Sequence, residues 1–414
     1  MKILVTGCCG FIGSHLCQRL LTTTNYQIIG IDNMNDYYDQ KQKKDNLNLL
    51  TIYRNFIYFK EDVITTKIVS IQKPDIVIHL AAMAGVRYSH QNPSLYIRNN
   101  IEGHTNLILQ STQEKVKLFI YASSSSVYGN NTSIPFQEHD SIDNLNSMYA
   151  LSKHTCEMIS QLYHKLYQLP VIGLRFFTVY GPRGRPDMAP YKFISKIMTG
   201  NPIDKYGPGD SFRDYTYIDD IVSGIMGAIK NKNNRTCEIY NLGNSQTHNL
   251  NQFINICEQV TGRQAIINQL GDQTGDVPAT YSDISKAKTD LDYDPQTNLQ
   301  DGLIQLYQWI LEYHQSPSSS VIFNSEMDTT IFEFLDNQDH YQNYPVSRTD
   351  FEKYQLEQLQ TKLINQQLQV TIIYSCTFSV DTLRIGKNNS KITIEFEDSQ
   401  YELENKGLEQ SLTL

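Results

Sequence analysis

The stretch KILVTGCCGFIG, Lys2–Gly13, decides the fold. A short apolar run ends in three glycines, Gly7, Gly10 and Gly13, and an amphipathic helix pattern follows through about Thr22. Glycines at such a junction let backbone approach a pyrophosphate. The helix start, with Phe11 and Ile12 in its first turn, supplies N–H donors and a favourable dipole. A glycine triplet alone is equally compatible with a tight turn, so its surroundings must decide. The adjacent Cys8 and Cys9 read as small residues filling the turn.

Outward from this motif, YQIIGID (26–32), PDIVIHLAA (74–82), KLFIYASSSS (117–126) and PVIGLRFFTVYG (170–181) are further apolar runs separated by helical stretches. That alternation predicts a parallel sheet covered on both faces, an α/β, doubly wound domain of the Rossmann type. The second run ends in Asp32, 19 residues after Gly13. An acid there meets the adenosine ribose hydroxyls and repels a 2′-phosphate, so NAD is expected rather than NADP. Asp62, after NFIYFKED, is either an acceptor for the adenine amino group or a plain loop acid. From about Gly184 the pattern turns irregular, and alternation returns at CEIYNLGN (237–244). The expected organisation is a Rossmann domain over 1–175 with a returning part near 214–245, and a smaller α/β substrate domain mainly over 176–315. A C-terminal α+β extension follows over 321–414.

The 414 residues, 40% apolar and 19% charged, fit a globular chain of two or three domains. No apolar run approaches the ~20 residues of a membrane span. The N-terminus reads as a strand and not as a signal peptide. Seven scattered cysteines show no CxxC or Cys/His metal spacing, so no metal is expected and reduced thiols in a cytoplasmic protein are the simplest account. Residues 321–414 hold 7 Lys+Arg against 15 Asp+Glu, whereas 1–320 hold 28 against 29. Neither part offers the basic face of a nucleic-acid binder. The charge step and the Pro/Ser-rich HQSPSSSV (314–321) mark a linker. In the acidic extension, 349–368 has helical periodicity, and 370–380 and SKITIEFED (390–398) read as strands.

Chemistry concentrates in SMYALSK, residues 147–153. Tyr149 and Lys153 are four apart and so share one helix face. A free phenol, with a pKa of about 10, is a poor base at neutral pH. An ammonium and a positive nicotinamide ring beside it favour the phenolate, which can take a proton from a sugar hydroxyl. The pair alone is common by chance. ASSSSVYG (122–129) changes the odds by putting Ser124 and Ser126 at a strand's C-terminal end, where ligands of such sheets bind.

Together TGCCGFIG, IDN with Asp32 and Asn33, ASSSSVYG and YALSK resemble the extended short-chain dehydrogenase/reductase family of NAD-dependent nucleotide-sugar epimerases and dehydratases. The resemblance covers residues 1 to about 315. It implies Tyr149 as catalytic base and acid, and Lys153 as the ligand of the nicotinamide ribose. It also implies Ser124 on the reacting hydroxyl, Asn99 lining the cofactor site, and a homodimer formed through helices near 100–114 and 150–168. Dehydratases of the family carry Asp-Glu directly before VYG, and the related decarboxylases carry Glu. Here Ser125 and Ser126 stand there, so epimerisation at C4 of a UDP-sugar is expected over elimination.

AAMAGVRYS (81–89) and FFTVYGPRGRPDMAP (176–190) are similar to the UDP-glucuronate 4-epimerase branch. A planar guanidinium at Arg185 suits a C6 carboxylate, with Thr178 sharing the contact, and would restrain loss of CO₂ from a 4-keto uronate. Arg183 stands where that branch usually has tryptophan. By resemblance Arg213 meets the nucleotide diphosphate and Arg87 approaches the substrate. A UDP-glucose or UDP-N-acetylhexosamine(uronate) epimerase would keep Tyr149 and Lys153 but dispense with Arg185. A non-catalytic NAD-binding scaffold whose C-terminal module binds a partner would need neither.

Overall fold

The computed structural model describes residues 1–231, 236–271 and 277–315, and six strands between 321 and 412. It divides into two compact units, Met1–Leu311 and Glu312–Leu414. The first holds strands β1 (Lys2–Thr6), β2 (Gln27–Ile31), β3 (Phe56–Phe59), β4 (Ile76–His79), β5 (Leu118–Ser124), β6 (Val171–Phe176), β7 (Thr178–Tyr180), β8 (Ile203–Tyr206), β9 (Phe212–Tyr217), β10 (Cys237–Leu242), β11 (Thr247–Asn249) and β12 (Ile267–Leu270).

Seven strands form the central sheet in the order β10-β6-β5-β4-β1-β2-β3, with every neighbouring pair parallel. Side chains alternate across a strand, so both faces of each apolar run need cover. Ile3, Val5, Ile78, Ile120 and Leu174 pack with the helices Phe11–Thr23, Ile218–Lys230 and Leu299–Gln315. Leu4, Ile29, Val77, Phe119 and Val171 pack on the other side with Leu107 and Ile108 of helix Gly103–Gln113 and Cys156 of helix Met148–Tyr167. Each such fully buried aliphatic side chain contributes about 1.5–3 kcal/mol. From β1 the chain winds outward through β2 and β3, then returns to β4 on β1's other side. The crevice between the C-terminal ends of β1 and β4 is therefore the sheet's switch point, the place where ligands bind.

The run PVIGLRFFTVYG, one strand by pattern, is two strands broken at Phe177. Phe177 N–H donates to Leu242 O at 3.1 Å, and β7 leaves the main sheet to pair with β9, which also pairs with β11. A parallel β8–β12 pair and the helices Ala189–Met198 and Leu250–Thr261 complete this smaller α/β layer. No helix among the described residues is long and apolar enough to cross a membrane.

In the second unit, β13 (Val321–Phe323) pairs antiparallel with β18 (Gln410–Leu412). Strands β14 (Tyr341–Pro345), β15 (Thr382–Asn388), β16 (Lys391–Phe396) and β17 (Ser399–Glu404) make a four-stranded antiparallel sheet. The strand read from SKITIEFED is β16. The helix read over 349–368, the strand over 370–380 and most of the linker lie outside the described residues.

Candidate active site

A cleft of about 380 Å³ opens at the switch point. Its floor is the glycine turn. Gly7 has φ +69°, and a Cβ on Gly13 would stand 2.1 Å from Gly7 O, so a side chain there cannot be accommodated without moving the turn. Gly10 precedes helix Phe11–Thr23 and no side chain caps it. The first-turn N–H groups are thus left for a ligand, the arrangement an anion such as a pyrophosphate fits. Asp32 closes the turn from β2: its Oδ2 accepts from Cys9 N–H at 3.2 Å and its Oδ1 from Met34 N–H at 2.9 Å. Burial pushes the Asp32 carboxyl above its ordinary value, opposed by the Met34 N–H, the Lys43 ammonium and the Cys9 N–H.

At the other end, Ser147 caps helix Met148–Tyr167 by accepting from Ala150 N–H at 3.1 Å. That cap starts the helix so that Tyr149 and Lys153 face the sheet. Lys153, 5% exposed, donates from Nζ to Ala122 O of β5 at 2.7 Å. Ser124, the last residue of β5, accepts from Ser126 N–H at 3.1 Å, and its hydroxyl lies 3.1 Å from that of Ser126. The two serines therefore enter the cleft as one hydrogen-bonded unit. The Tyr149 ring meets Tyr96 edge-on at 6.1 Å, and Tyr96 Oη donates to Ala84 O and Gly85 O.

The third wall carries Arg185. Its Nε and Nη2 donate to Asp187 Oδ1 and Oδ2 at 3.0 and 2.6 Å, and its guanidinium lies 5.2 Å over the Tyr37 ring. Burial disfavours the Arg185 charge, but Asp187 outweighs it and the pKa stands above the ordinary value.

Gly7, Gly10, Phe11, Ile12, Gly13, Asp32, Asn33, Asn99, Ser124, Ser126, Tyr149, Lys153, Thr178 and Arg185 all line this one cleft. Asp62, Arg87 and Arg213 are not among the lining residues. Asp62 accepts from Asn33 Nδ2 at 3.0 Å and from Ile64 N–H at 2.9 Å. Arg87 lies 5.1 Å over the Tyr206 ring, and Arg213 Nη1 donates to the neighbouring Phe212 O. Arg183, where the resemblance expects tryptophan, has φ +61° and is 8% exposed. It donates to His15 Nε2 and Gln18 Oε1 on the Phe11–Thr23 helix, and burial lowers its pKa to about 10.

Several residues here escape sequence reasoning. Lys43 and Tyr37 line the cleft, Lys43 donating to Asn35 O and Oδ1. Asn100, beside the nominated Asn99, sits in a π-helical turn, Ile97–Glu102. It donates to Met83 O and Ser152 Oγ and accepts from Met83 N–H, tying the end of β4 to the Tyr149 helix. The only sequence signal for Asn100 is the doubled Asn of YIRNNIEG.

The chain is similar to known proteins. A model of the NAD dependent epimerase/dehydratase family matches residues 3–243. Protein CapI of Staphylococcus aureus is 42% identical over 337 residues, 76% of this chain and 100% of that protein. UDP-glucuronate 4-epimerase 6 of Arabidopsis thaliana is 38% identical, over 76% of this chain and 72% of its own. The crystal structure of UDP-glucuronic acid 4-epimerase from Bacillus cereus, in complex with UDP-glucuronic acid and NAD, superposes with a TM-score of 0.73. It is 37% identical and covers 76% of this chain and 100% of its own. With its parallel seven-stranded sheet, glycine turn and Tyr-Lys helix, the chain belongs to the NAD dependent epimerase/dehydratase family.

Proposed function

We propose that the chain interconverts UDP-glucuronate and UDP-galacturonate by 4-epimerisation. The observation that carries this reading is the convergence in one cleft of Tyr149, Lys153, the Ser124–Ser126 pair and Arg185. The glycine turn with its uncapped helix, and Asp32 at the end of β2, fit a dinucleotide, with Lys43 beside the ribose. When bound, NAD supplies the acceptor that takes hydride from C4 and gives it back.

The protein residues do the rest. Lys153, anchored on Ala122 O, holds the nicotinamide ribose and keeps a cation beside the Tyr149 phenol. Tyr149 takes the proton of the C4 hydroxyl and later returns it, and the serine pair hydrogen-bonds that oxygen in both stages. Turning of the 4-keto sugar between the stages inverts the centre. Ser125 and Ser126 offer no acid to expel water, which favours epimerisation over elimination. Arg185, with Thr178, receives the C6 carboxylate. By resemblance Arg213 is assigned to the nucleotide diphosphate, and Arg87 to an approach to the substrate.

A homodimer fits the surface. Leu151, Met158, Leu162 and Leu166 are 41–61% exposed and recur at helical spacing on one face of helix Met148–Tyr167, opposite Tyr149 and Lys153. Light scattering on Leu162→Glu should show a monomer where the parent shows a dimer; a monomeric parent would refute the assignment.

Incubation with UDP-glucuronate and separately with UDP-glucose, with products resolved by NMR, tests the reaction. UDP-galacturonate from the uronate alone, lost in Tyr149→Phe, is expected. Turnover of UDP-glucose in its place would assign the chain to a neutral hexose. No turnover with NAD bound would make it a scaffold.

A further inference from the structure

Arg185 does not meet the cleft as a free guanidinium. Asp187 fills its Nε–Nη2 edge with both carboxylate oxygens, at 3.0 and 2.6 Å. Tyr37 Oη stands 3.3 Å from Nη2 and donates to Asp187 Oδ2 at 3.2 Å. A carboxylate that takes this fork must therefore displace Asp187 from the Nε–Nη2 edge, while Tyr37 Oη accepts from Nη2. The three groups come from two segments: Tyr37 from the one after β2, Arg185 and Asp187 from the one after β7. Arg185 is 17% exposed at its side chain and Asp187 39%, so the pair lies at the cleft's edge with the acid on the wetter side.

The uronate reading puts two opposed demands on Arg185. It must hold a carboxylate on C5, next to the reacting C4. It must also let that carboxylate go, because presenting the other face of C4 swings the whole ring and carries C6 across the cleft. A bidentate guanidinium–carboxylate pair is strong. Pulling one apart leaves the guanidinium, 17% exposed, without a counter-charge, which is costly to the extent that it is buried.

We propose that Asp187 is a positioning residue that takes over the Arg185 guanidinium whenever the sugar carboxylate leaves it, so that turning of the keto sugar exchanges one carboxylate for another. The proposal rests on the uronate reading above. Tyr37 holds the parked state, its hydroxyl accepting from Arg185 Nη2 and donating to Asp187 Oδ2. The same acid offsets part of the charge on Arg185, which tempers the grip on the uronate. A neutral hexose has no carboxylate to exchange, so its handling should not depend on Asp187.

The test uses the full-length chain loaded with NAD, as parent, Asp187→Asn and Asp187→Glu, with UDP-glucuronate. Asparagine keeps the size of the side chain but removes the competing charge. In Asp187→Asn, KM should fall about 3-fold while kcat falls by about 10-fold or more. In single-turnover mixing, reduced-nicotinamide absorbance should persist, because the keto sugar stays clamped. Asp187→Glu should recover most of kcat. Unchanged kcat and KM would overturn the proposal. So would a loss of kcat with a raised KM, the signature of an Arg185 that is merely misplaced. Failure of the uronate reading shows earlier and separately, as absence of turnover of UDP-glucuronate by the parent.

Discussion

Lys153 and Glu157, one turn apart on the same helix face, grip consecutive residues of β5. Lys153 Nζ donates to Ala122 O at 2.7 Å, and Glu157 Oε1 accepts from Ser123 Oγ at 2.6 Å. Glu157 also receives Arg175 of β6 through two bonds of 2.9 Å, with both side chains 2% exposed. The Tyr149 helix is thereby docked across two strands by an ion pair, and the height of Tyr149 above the sheet follows from that docking.

Breaking this pair from one side should cost about 3–5 kcal/mol, because the remaining charge is buried alone. Arg175→Met and Glu157→Leu should each lower the urea midpoint sharply, and the double variant should lose less than the two losses added together. Additive losses would show that the two side chains act independently.

Gly13→Ala places a methyl group 2.1 Å from Gly7 O and distorts the donors of the glycine turn. Purified variant should contain little or no NAD by cofactor extraction, while Gly271→Ala, with nothing within 4 Å of its Cβ, should match the parent. Full cofactor occupancy in Gly13→Ala would contradict the placement of the pyrophosphate on this turn.

Arg185→Lys retains charge but loses the fork. We expect kcat/KM for UDP-glucuronate to fall about 10- to 100-fold, or about 1.4–2.8 kcal/mol, with a decarboxylated pentose product appearing beside the epimer. A variant that keeps both rate and product purity would remove Arg185 from carboxylate recognition.

His79 and His104, 5% and 1% exposed, lie with tilted rings 5.5 Å apart beside the central strand β4, near Phe119. Thr6 Oγ1 accepts from Ala81 N–H at 3.0 Å and lies 2.8 Å from His79 Nδ1. Burial, and then Lys153, lower the His104 pKa to about 3; burial, His104 and Lys153 hold His79 well below its ordinary value. The unfolded chain, with histidines near 6.5, binds more protons below that pH than the folded chain does. Stability should therefore fall as pH drops from 7.5 to 5.5, by up to about 1.4 kcal/mol per histidine for each pH unit below 6.5. His104→Gln should flatten that slope by about one proton in denaturation series; an unchanged slope would mean His104 is charged in the fold.

The legible part of this molecule is local in sequence. The glycine turn, Asp32 at a strand end and Tyr149–Lys153 are each set by spacing within one strand or helix turn, and the cleft gathers them. What spacing cannot show is pairing between distant segments. Tyr37 meets Asp187 across 150 residues, and Gln42 Nε2 donates to Arg183 O across 141. Arg183 could be read only as a departure from tryptophan. In the fold its guanidinium donates to His15 Nε2 and Gln18 Oε1 of the first helix. Asp62, at the strand end that spacing marks, accepts from Asn33 Nδ2 and Ile64 N–H, two partners that spacing does not reveal.

The helix Phe11–Thr23 begins without a side-chain cap, so its opening amides wait for an atom the polypeptide does not contain. A ligand that satisfies them only in the folded state stabilises that state by mass action, by about 4 kcal/mol at a thousand times its dissociation constant. Stability gained this way lengthens the lifetime of a protein facing proteolysis. The abundance of this enzyme would then follow the supply of its dinucleotide, making the turnover of the chain a gauge of nicotinamide status as well as a matter of synthesis.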